Sequence, residues 1–126
     1  MQLPDLQRIE HIKEYCEEIA NTINRYGNSF DIFDEDIDYQ KSVSFSILQI
    51  GELVGKLSEE YRKKTNHLIR WSSIKGMRNF FAHNYGSMNR EVIWRTAIED
   101  IPALETFCSE QLLEYEQEDG TPIQSM

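Results

Sequence analysis

The segment from residue 43 to residue 57 carries the pattern that most restricts the fold. Its apolar residues alternate steps of four and three: Val43, Ile47, Ile50, Val54 and Leu57. This spacing places one apolar stripe along an α-helix and is typical of a seam between packed helices. Only six glycines and three prolines in 126 residues can interrupt such helices. We therefore predict an all-α fold, an up-and-down bundle of four to five helices with this helix at its centre.

Similar spacing predicts the other helices. The first should run from about Leu6 to Arg25 and the third from about Ile74 to Asn84, with Ser72 or Ser73 as its N-cap. Asn89 is the expected N-cap of the last helix. The expected inward residues are Ile12, Cys16, Ile19 and Ile23 in the first helix, Ile74, Met77 and Phe81 in the third, and Ile93, Ala97, Ile101, Leu104 and Cys108 in the last.

The connecting segments are polar. Residues 29–40 are acidic and aperiodic, which predicts a loop or short turn, and residues 58–72 should leave the core through a basic turn. Pro102 should kink or divide the last helix. Gly51 and Gly55 lack the G-K-[ST] ending and the preceding strand of a phosphate-binding loop, so we expect them to permit close helix approach instead.

The length of the chain predicts a single domain, and its cysteines predict a reduced setting. A chain of this length forms one core, and we assign residues 1–116 to a single helical domain and residues 117–126 to a flexible polar tail. Cys16 and Cys108 have neither disulfide-framework nor zinc-site spacing, which favours a reduced, cytoplasmic setting with no metal and no cofactor. No export signal or stretch of about 18 apolar residues appears, so no membrane contact is expected.

The charge of the chain is unevenly distributed. The net charge is −9, which argues against general affinity for nucleic acid. Residues 61–95 nevertheless hold eight of the 13 Lys and Arg residues and one of the 22 acids, so this window is +7 and the remainder −16. Two interpretations remain: a solvated basic face, or a basic site on an acidic body. Candidate RNA-binding residues are Lys63, Lys64, Arg70, Lys75 and Arg90, of which Lys63, Lys64 and Arg70 can equally face a protein partner.

Within this window, the stretch "KGMRNFFAHNYGSMNR" carries the residues suited to chemistry. Arg78 supplies a planar fork that matches phosphate oxygens, and His83 titrates near neutral pH and can accept or donate a proton. Asn79 is four residues before His83, at the spacing for a side-chain hydrogen bond on a helix. Arg78 and His83 are about 140° apart on an ideal helix, so they converge only if the helix ends near Gly86 or a second chain contributes.

This combination suits RNA cleavage by the neighbouring 2′-hydroxyl, which needs a proton acceptor, a proton donor and a cation for the developing phosphorane charge. One histidine cannot fill both proton roles in one turnover, so two chains facing each other would supply two. The alternative is that His83 is a residue at the edge of the core with no catalytic role.

The stretch resembles the R-x4-H-x-Y signature of HepT-like toxins, a branch of the HEPN (higher eukaryotes and prokaryotes nucleotide-binding) superfamily. Arg78, Asn79, His83 and Tyr85 match the signature. Similarity extends to "LQIGELVGKLSEE", to the approach from Trp71 to Asn79, and to the segment from "REVIW" to "IPALE". The resemblance covers about residues 5 to 115.

The resemblance implies a HEPN-like helical homodimer that acts as a metal-independent ribonuclease toxin, with Arg78 and His83 as catalytic residues at the dimer cleft. It also implies a minimal nucleotidyltransferase antitoxin that uses ATP to AMPylate Tyr85. The competing hypotheses are a non-catalytic HEPN module that binds nucleotide or substrate for a nucleotidyltransferase, and a purely structural dimeric bundle.

Overall fold

The computed structural model describes residues 1–76 and 90–119, and these residues form helices without strands. We number the helices α1 (Leu3–Tyr26), α2 (Phe30–Glu35), α3 (Ile37–Lys56), α4 (Glu59–Thr65), α5 (71–76), α6 (Arg90–Arg95) and α7 (Ile101–Asp119). A π-helical segment, Thr96–Asp100, joins α6 to α7. The predicted all-α bundle is confirmed.

Helices α1 and α3 run antiparallel. At one end, the rings of Tyr26 near the end of α1 and Tyr39 near the start of α3 stack with centroids 4.7 Å apart. At the other end, Asp5 in the first turn of α1 accepts hydrogen bonds from the backbone N–H (2.8 Å) and the hydroxyl (2.6 Å) of Ser58, just after α3. The up-and-down order is therefore held by polar and aromatic contacts at both ends.

Helix α7 packs along α1, α6 contacts α3, and the α6–α7 segment runs in the same direction as α3. Trp94 in α6 lies beside Phe33 and Tyr39, with ring centroids 5.3 and 6.0 Å away, at the end where α3 begins. Phe107 in α7 contacts Trp71 with centroids 5.3 Å apart, at the end where α3 has finished. The long helices thus form the frame of the bundle, and the short helices α2, α4 and α5 close its two ends.

The core contains the predicted apolar stripes. All five residues of the 43–57 stripe are at most 2% exposed, and the five predicted for the last helix are at most 4% exposed. In α1, Ile12, Cys16 and Ile19 are buried, and Ile23 is partly buried against the core. Ile74 is buried in α5, whereas Met77 and Phe81 lie outside the described residues.

The acidic segment 29–40 is not a loop, contrary to the prediction. It forms α2 and the start of α3, because Phe33 supplies a fully buried anchor between Tyr39 and Trp94. Asp36 then caps α3, since its carboxylate accepts the backbone N–H groups of Asp38 (3.0 Å) and Tyr39 (3.2 Å). Asp36 therefore has a local structural role that the lack of periodicity in this segment concealed.

The region 58–72 is also more ordered than a basic turn. Ser58 caps α4 by accepting the backbone N–H of Tyr61 at 3.2 Å. Helix α5 begins at Trp71, so Ser72 and Ser73 are helical residues and not the predicted N-caps. The burial of Trp71 at 4% exposure accounts for this earlier start, because it fixes the first turn against the core. The predicted end of this helix near Asn84 and the N-cap at Asn89 lie outside the described residues.

Pro102 does not divide the last helix. The turn before it widens into the π-helical segment, in which the N–H of Ile101 donates to the carbonyl of Thr96, five residues earlier. Proline lacks an N–H and clashes with the carbonyl four residues before it in a regular α-helix. The wider turn accommodates the ring, and the chain stays helical to Asp119.

Candidate nucleic-acid interface

The four motif residues Arg78, Asn79, His83 and Tyr85 lie outside the described residues. Their predicted roles therefore stay predictions. The described chain flanks them with α5, which contains Lys75, and with α6, which starts at Arg90. The five predicted RNA-binding residues are all described.

Three of these five residues line one open groove of about 740 Å³ between α4 and α5, which we call the basic groove. They are Lys63, Arg70 and Lys75. The remaining lining residues are Glu59, Arg62, Asn66, Ile69, Trp71 and Ser72.

Trp71 connects the two walls of the basic groove. Its indole N–H donates to the hydroxyl of Thr65 at 2.8 Å, and that hydroxyl donates to the carbonyl of Tyr61 at 2.8 Å. The ring packs edge-on against Phe107 and lies 6.4 Å from the ring of Tyr61. Because a buried indole with a satisfied N–H fixes its own helix, α5 keeps a set position relative to α4. This burial makes Trp71 a core residue and leaves no exposed ring face for stacking on a base.

The side chains that line the basic groove carry a net positive charge. Four cationic side chains face one carboxylate, Glu59, which pairs with Lys63 at 3.0 Å. Both partners are 74% exposed, so solvent screens this pair and it contributes little. Within the described parts of the chain, Arg62, Arg70 and Lys75 form no ion pair. The groove therefore presents uncompensated positive charge.

Arg62 was not selected as a candidate from the sequence. Its Nε atom is buried and forms no hydrogen bond with any described residue. Such a donor normally finds an acceptor, because an unsatisfied buried polar group destabilises a protein. The available signal was helical geometry: Arg62 lies three residues after Glu59 and four before Asn66, a spacing that places these three lining residues on one face of α4.

Lys75 lies close to the end of α3. A Cβ atom built on Gly55 would stand 4.0 Å from the Cε of Lys75, an ordinary contact distance. Gly55 is itself exposed, so the predicted role of this glycine in close helix packing is wrong. The position instead leaves the Lys75 stem alongside the last turn of α3.

The other two RNA-binding candidates lie elsewhere. Lys64 lines a separate cavity of about 280 Å³ between α4 and the ends of α1 and α7, with Tyr61, Gln111 and Glu114 among its neighbours. Arg90 pairs with Asp34 of α2, with its Nε 2.5 Å from a carboxylate oxygen. Of the predicted set, the structure brings together Lys63, Arg70 and Lys75 and separates them from Lys64 and Arg90.

A third cavity, of about 540 Å³, adjoins the loop between α4 and α5 and shares Arg70 with the basic groove. His67 and Asp100 also line it. Burial, with a smaller contribution from Glu99, raises the pKa of the Asp100 carboxyl above its usual value. Asp100 lies in the π-helical segment, which is where the last helix departs from regular geometry.

The described residues contain neither a metal-binding cluster nor a membrane-spanning helix. Among residues 1–76 and 90–119, no group of three or more His, Cys, Asp or Glu side chains is placed to hold a metal ion. None of the helices in these ranges combines the length and apolar content needed to cross a bilayer.

Comparison with known proteins identifies the family. A model of the family described as "Ribonuclease HepT-like" matches residues 6–111. The protein named "Putative RNase TTE0752" from Caldanaerobacter subterraneus subsp. tengcongensis is 35% identical over 97 residues, covering 77% of this chain and 84% of that protein. The "Probable ribonuclease HepT" of Thermococcus cleftensis is 30% identical over 96 residues, covering 73% of this chain and 87% of that protein. No solved structure gives a significant match. The chain belongs to the HepT-like ribonuclease family of the HEPN superfamily.

Proposed function

We propose that this chain is a metal-independent endoribonuclease that acts as the toxin of a toxin–antitoxin pair. The observation that carries the proposal is the family match over residues 6–111, which spans both the R-x4-H-x-Y motif and the basic groove. Relatives matched along most of their length are named as ribonucleases. The unneutralised cations of the basic groove, which precede the motif in the sequence, suit a polyanionic substrate.

The reaction follows from the chemistry of the motif residues. One His83 accepts the proton of the 2′-hydroxyl, whose oxygen attacks the adjacent phosphorus. The bond from phosphorus to the 5′-oxygen breaks, and a second His83, from the partner chain of a homodimer, donates a proton to the leaving oxygen. The products are a 2′,3′-cyclic phosphate and a 5′-hydroxyl. Arg78 stabilises the charge on the non-bridging oxygens, and Asn79 orients the imidazole.

Regulation by the antitoxin acts on Tyr85. A minimal nucleotidyltransferase transfers AMP from ATP to the phenolic oxygen and releases pyrophosphate. Tyr85 follows Arg78 by seven residues, which on an ideal helix would put the two on nearly the same face, so the adduct would bring bulk and negative charge to the phosphate-binding arginine and exclude RNA. Co-expression with the partner should therefore add AMP increments to the intact mass of the wild type and none to Tyr85→Phe.

The decisive experiment is RNA cleavage by the purified, unmodified chain in the presence of EDTA. We expect cleavage by the wild type and a loss of about 10² or more in rate for His83→Ala and Arg78→Ala. Circular dichroism and gel filtration should show that fold and oligomeric state persist. His67→Ala is the matched control, because this histidine is exposed and lies outside the motif. Absence of cleavage by the unmodified wild type would overturn the proposal and favour a binding module.

A further inference from the structure

We infer that the basic groove is a second phosphate-binding region, which holds the backbone of single-stranded RNA outside the scissile phosphate. This rests on the proposed function in that the bound strand is its substrate. The groove differs from the predicted cluster: it includes Arg62 and excludes Lys64 and Arg90.

Positive charge is concentrated in the groove against the trend of the whole chain. The chain has 22 acids and 13 Lys and Arg residues, so a surface patch of average composition would hold more acidic than basic side chains. The groove holds four cations and one carboxylate. The single ion pair in its lining, between Lys63 and Glu59, is exposed and easily exchanged for a phosphate.

The groove also supplies hydrogen-bond donors for an oxyanion. Arg62 brings a buried Nε without an acceptor among the described residues, and its guanidinium is matched to phosphate oxygens. Asn66 and Ser72 add neutral polar groups of the kinds that commonly contact a nucleic-acid backbone. An oxyanion entering the groove would therefore meet the charge of its four cations and the exposed polar groups of Asn66 and Ser72.

The lining also indicates the kind of ligand. Its two large apolar side chains, Ile69 and Trp71, are partly and almost fully buried, so the groove offers neither the apolar centre of a protein interface nor an exposed ring for base stacking. Contacts would therefore be made to the backbone and be independent of base sequence. An acidic protein partner is the competing occupant, and binding measurements with matched lysine variants separate the two.

The groove is connected to the motif along the chain. Lys75 lies in its lining and precedes Arg78 by three residues. A strand held by Lys63, Arg70 and Lys75 is therefore bound by a residue that is only three positions from the start of the motif in the sequence. In this arrangement the groove would bind the RNA backbone and the motif would transfer protons. Substitutions in the groove should therefore affect substrate binding more than the chemical step.

The test compares adjacent lysines of α4. In the His83→Ala background, binding of a fluorescein-labelled single-stranded RNA is measured by anisotropy at several salt concentrations. Lys63→Gln and Lys75→Gln should each reduce the slope of log affinity against log salt by about 0.7 and lower affinity at about 0.1 M salt about fivefold. Lys64→Gln removes the same charge from the next residue, outside the groove, and should have a clearly smaller effect.

The outcomes separate the groove from the chemistry. Equal changes for Lys63→Gln and Lys64→Gln would overturn the inference, because net charge alone would then explain binding. Unchanged RNA binding with lost binding of an acidic protein partner would also overturn it. In the cleavage-competent chain, Lys63→Gln should raise KM with little change in kcat. If His83→Ala fails to reduce cleavage while the Lys63 and Lys64 variants still differ in RNA binding, the proposed mechanism fails and the groove stands.

Discussion

Lys63 and Lys64 are neighbours in the sequence, yet their side chains line two different cavities. Each residue of an α-helix advances about 100° around the axis, so adjacent residues face different surroundings. Lys63 joins Arg70 and Lys75 in the basic groove, whereas Lys64 lies with residues of α1 and α7. The +7 window of the sequence is therefore divided among several surfaces in the folded chain.

Asp5 joins the start of α1 to the start of α4, and its loss should destabilise the bundle. The carboxylate is 2% exposed and accepts two hydrogen bonds from Ser58. Asp5→Ala removes a buried acceptor and leaves the N–H of the half-buried Ser58 without its partner, so we expect the free energy of unfolding to fall by about 1–3 kcal/mol. Urea denaturation measures this change. Asp31→Ala removes the same charge from an exposed position and should change stability by less than about 0.5 kcal/mol; equal midpoints for the two variants would contradict the assignment.

The two cysteine thiols should be protected in the folded chain. Both are fully buried, and burial raises the pKa of Cys16 from its ordinary value of 9.0 to about 12 and raises that of Cys108 further. Since the thiolate is the reactive form, a disulfide reagent at about pH 8 should modify neither thiol in the native protein and both in urea. Rapid modification of the native chain would contradict this.

The raised pKa values of the two thiols make the free energy of unfolding depend on pH. Because the folded-state pKa of Cys16 and Cys108 lies above the unfolded value, the stabilisation is complete below about pH 9 and is lost as the pH rises toward the folded value. The free energy of unfolding should therefore decrease above about pH 9. Replacing both cysteines by alanine should flatten this decrease between about pH 8.5 and about pH 10, which urea denaturation at each pH can measure. An unchanged slope in the double variant would show that other groups cause it.

Asp36 should contribute to stability as the N-cap of α3. Its side chain satisfies the N–H groups of Asp38 and Tyr39. Asp36→Ala is expected to lower the free energy of unfolding by about 1 kcal/mol, and Asp36→Asn, which keeps a capping oxygen, by less. Glu35→Ala is the neighbouring control, because its exposed side chain caps no helix. Equal effects of Asp36→Ala and Glu35→Ala would argue for net charge instead of capping.

Asp34 should reduce the ability of Arg90 to bind RNA. The two side chains form an ion pair that is half exposed, so a phosphate can compete for the guanidinium. In the His83→Ala background, which does not cleave the RNA, Asp34→Asn should raise RNA affinity, and its effect should be smaller when Arg90→Gln is also present. Anisotropy measurements on the four chains of this double-mutant cycle give the coupling. Additive effects would mean that Arg90 does not bind RNA through the atoms that Asp34 occupies.

The sequence determined the helical frame by itself, because the spacing of apolar residues reports directly which side of a long helix is buried. The stripes of α1, α3 and α7 were predicted correctly for this reason, and the R-x4-H-x-Y motif together with its flanking segments indicated the family. The short helices α2 and α4 were missed, because they are stabilised by single buried anchors and caps, such as Phe33, Asp36 and Ser58, that leave no period.

Only the tertiary structure decided which cations share a surface. Lys63, Arg70 and Lys75 come from α4, the following loop and α5, and the buried indole of Trp71 fixes these elements relative to one another. Arg90 is held by Asp34, which lies 56 residues away in the sequence. Charges interact through space, whereas the sequence gives only the order of residues along the chain. Composition could therefore locate the basic window. It could not show that the cations of this window lie in the basic groove, in a separate cavity and in an ion pair.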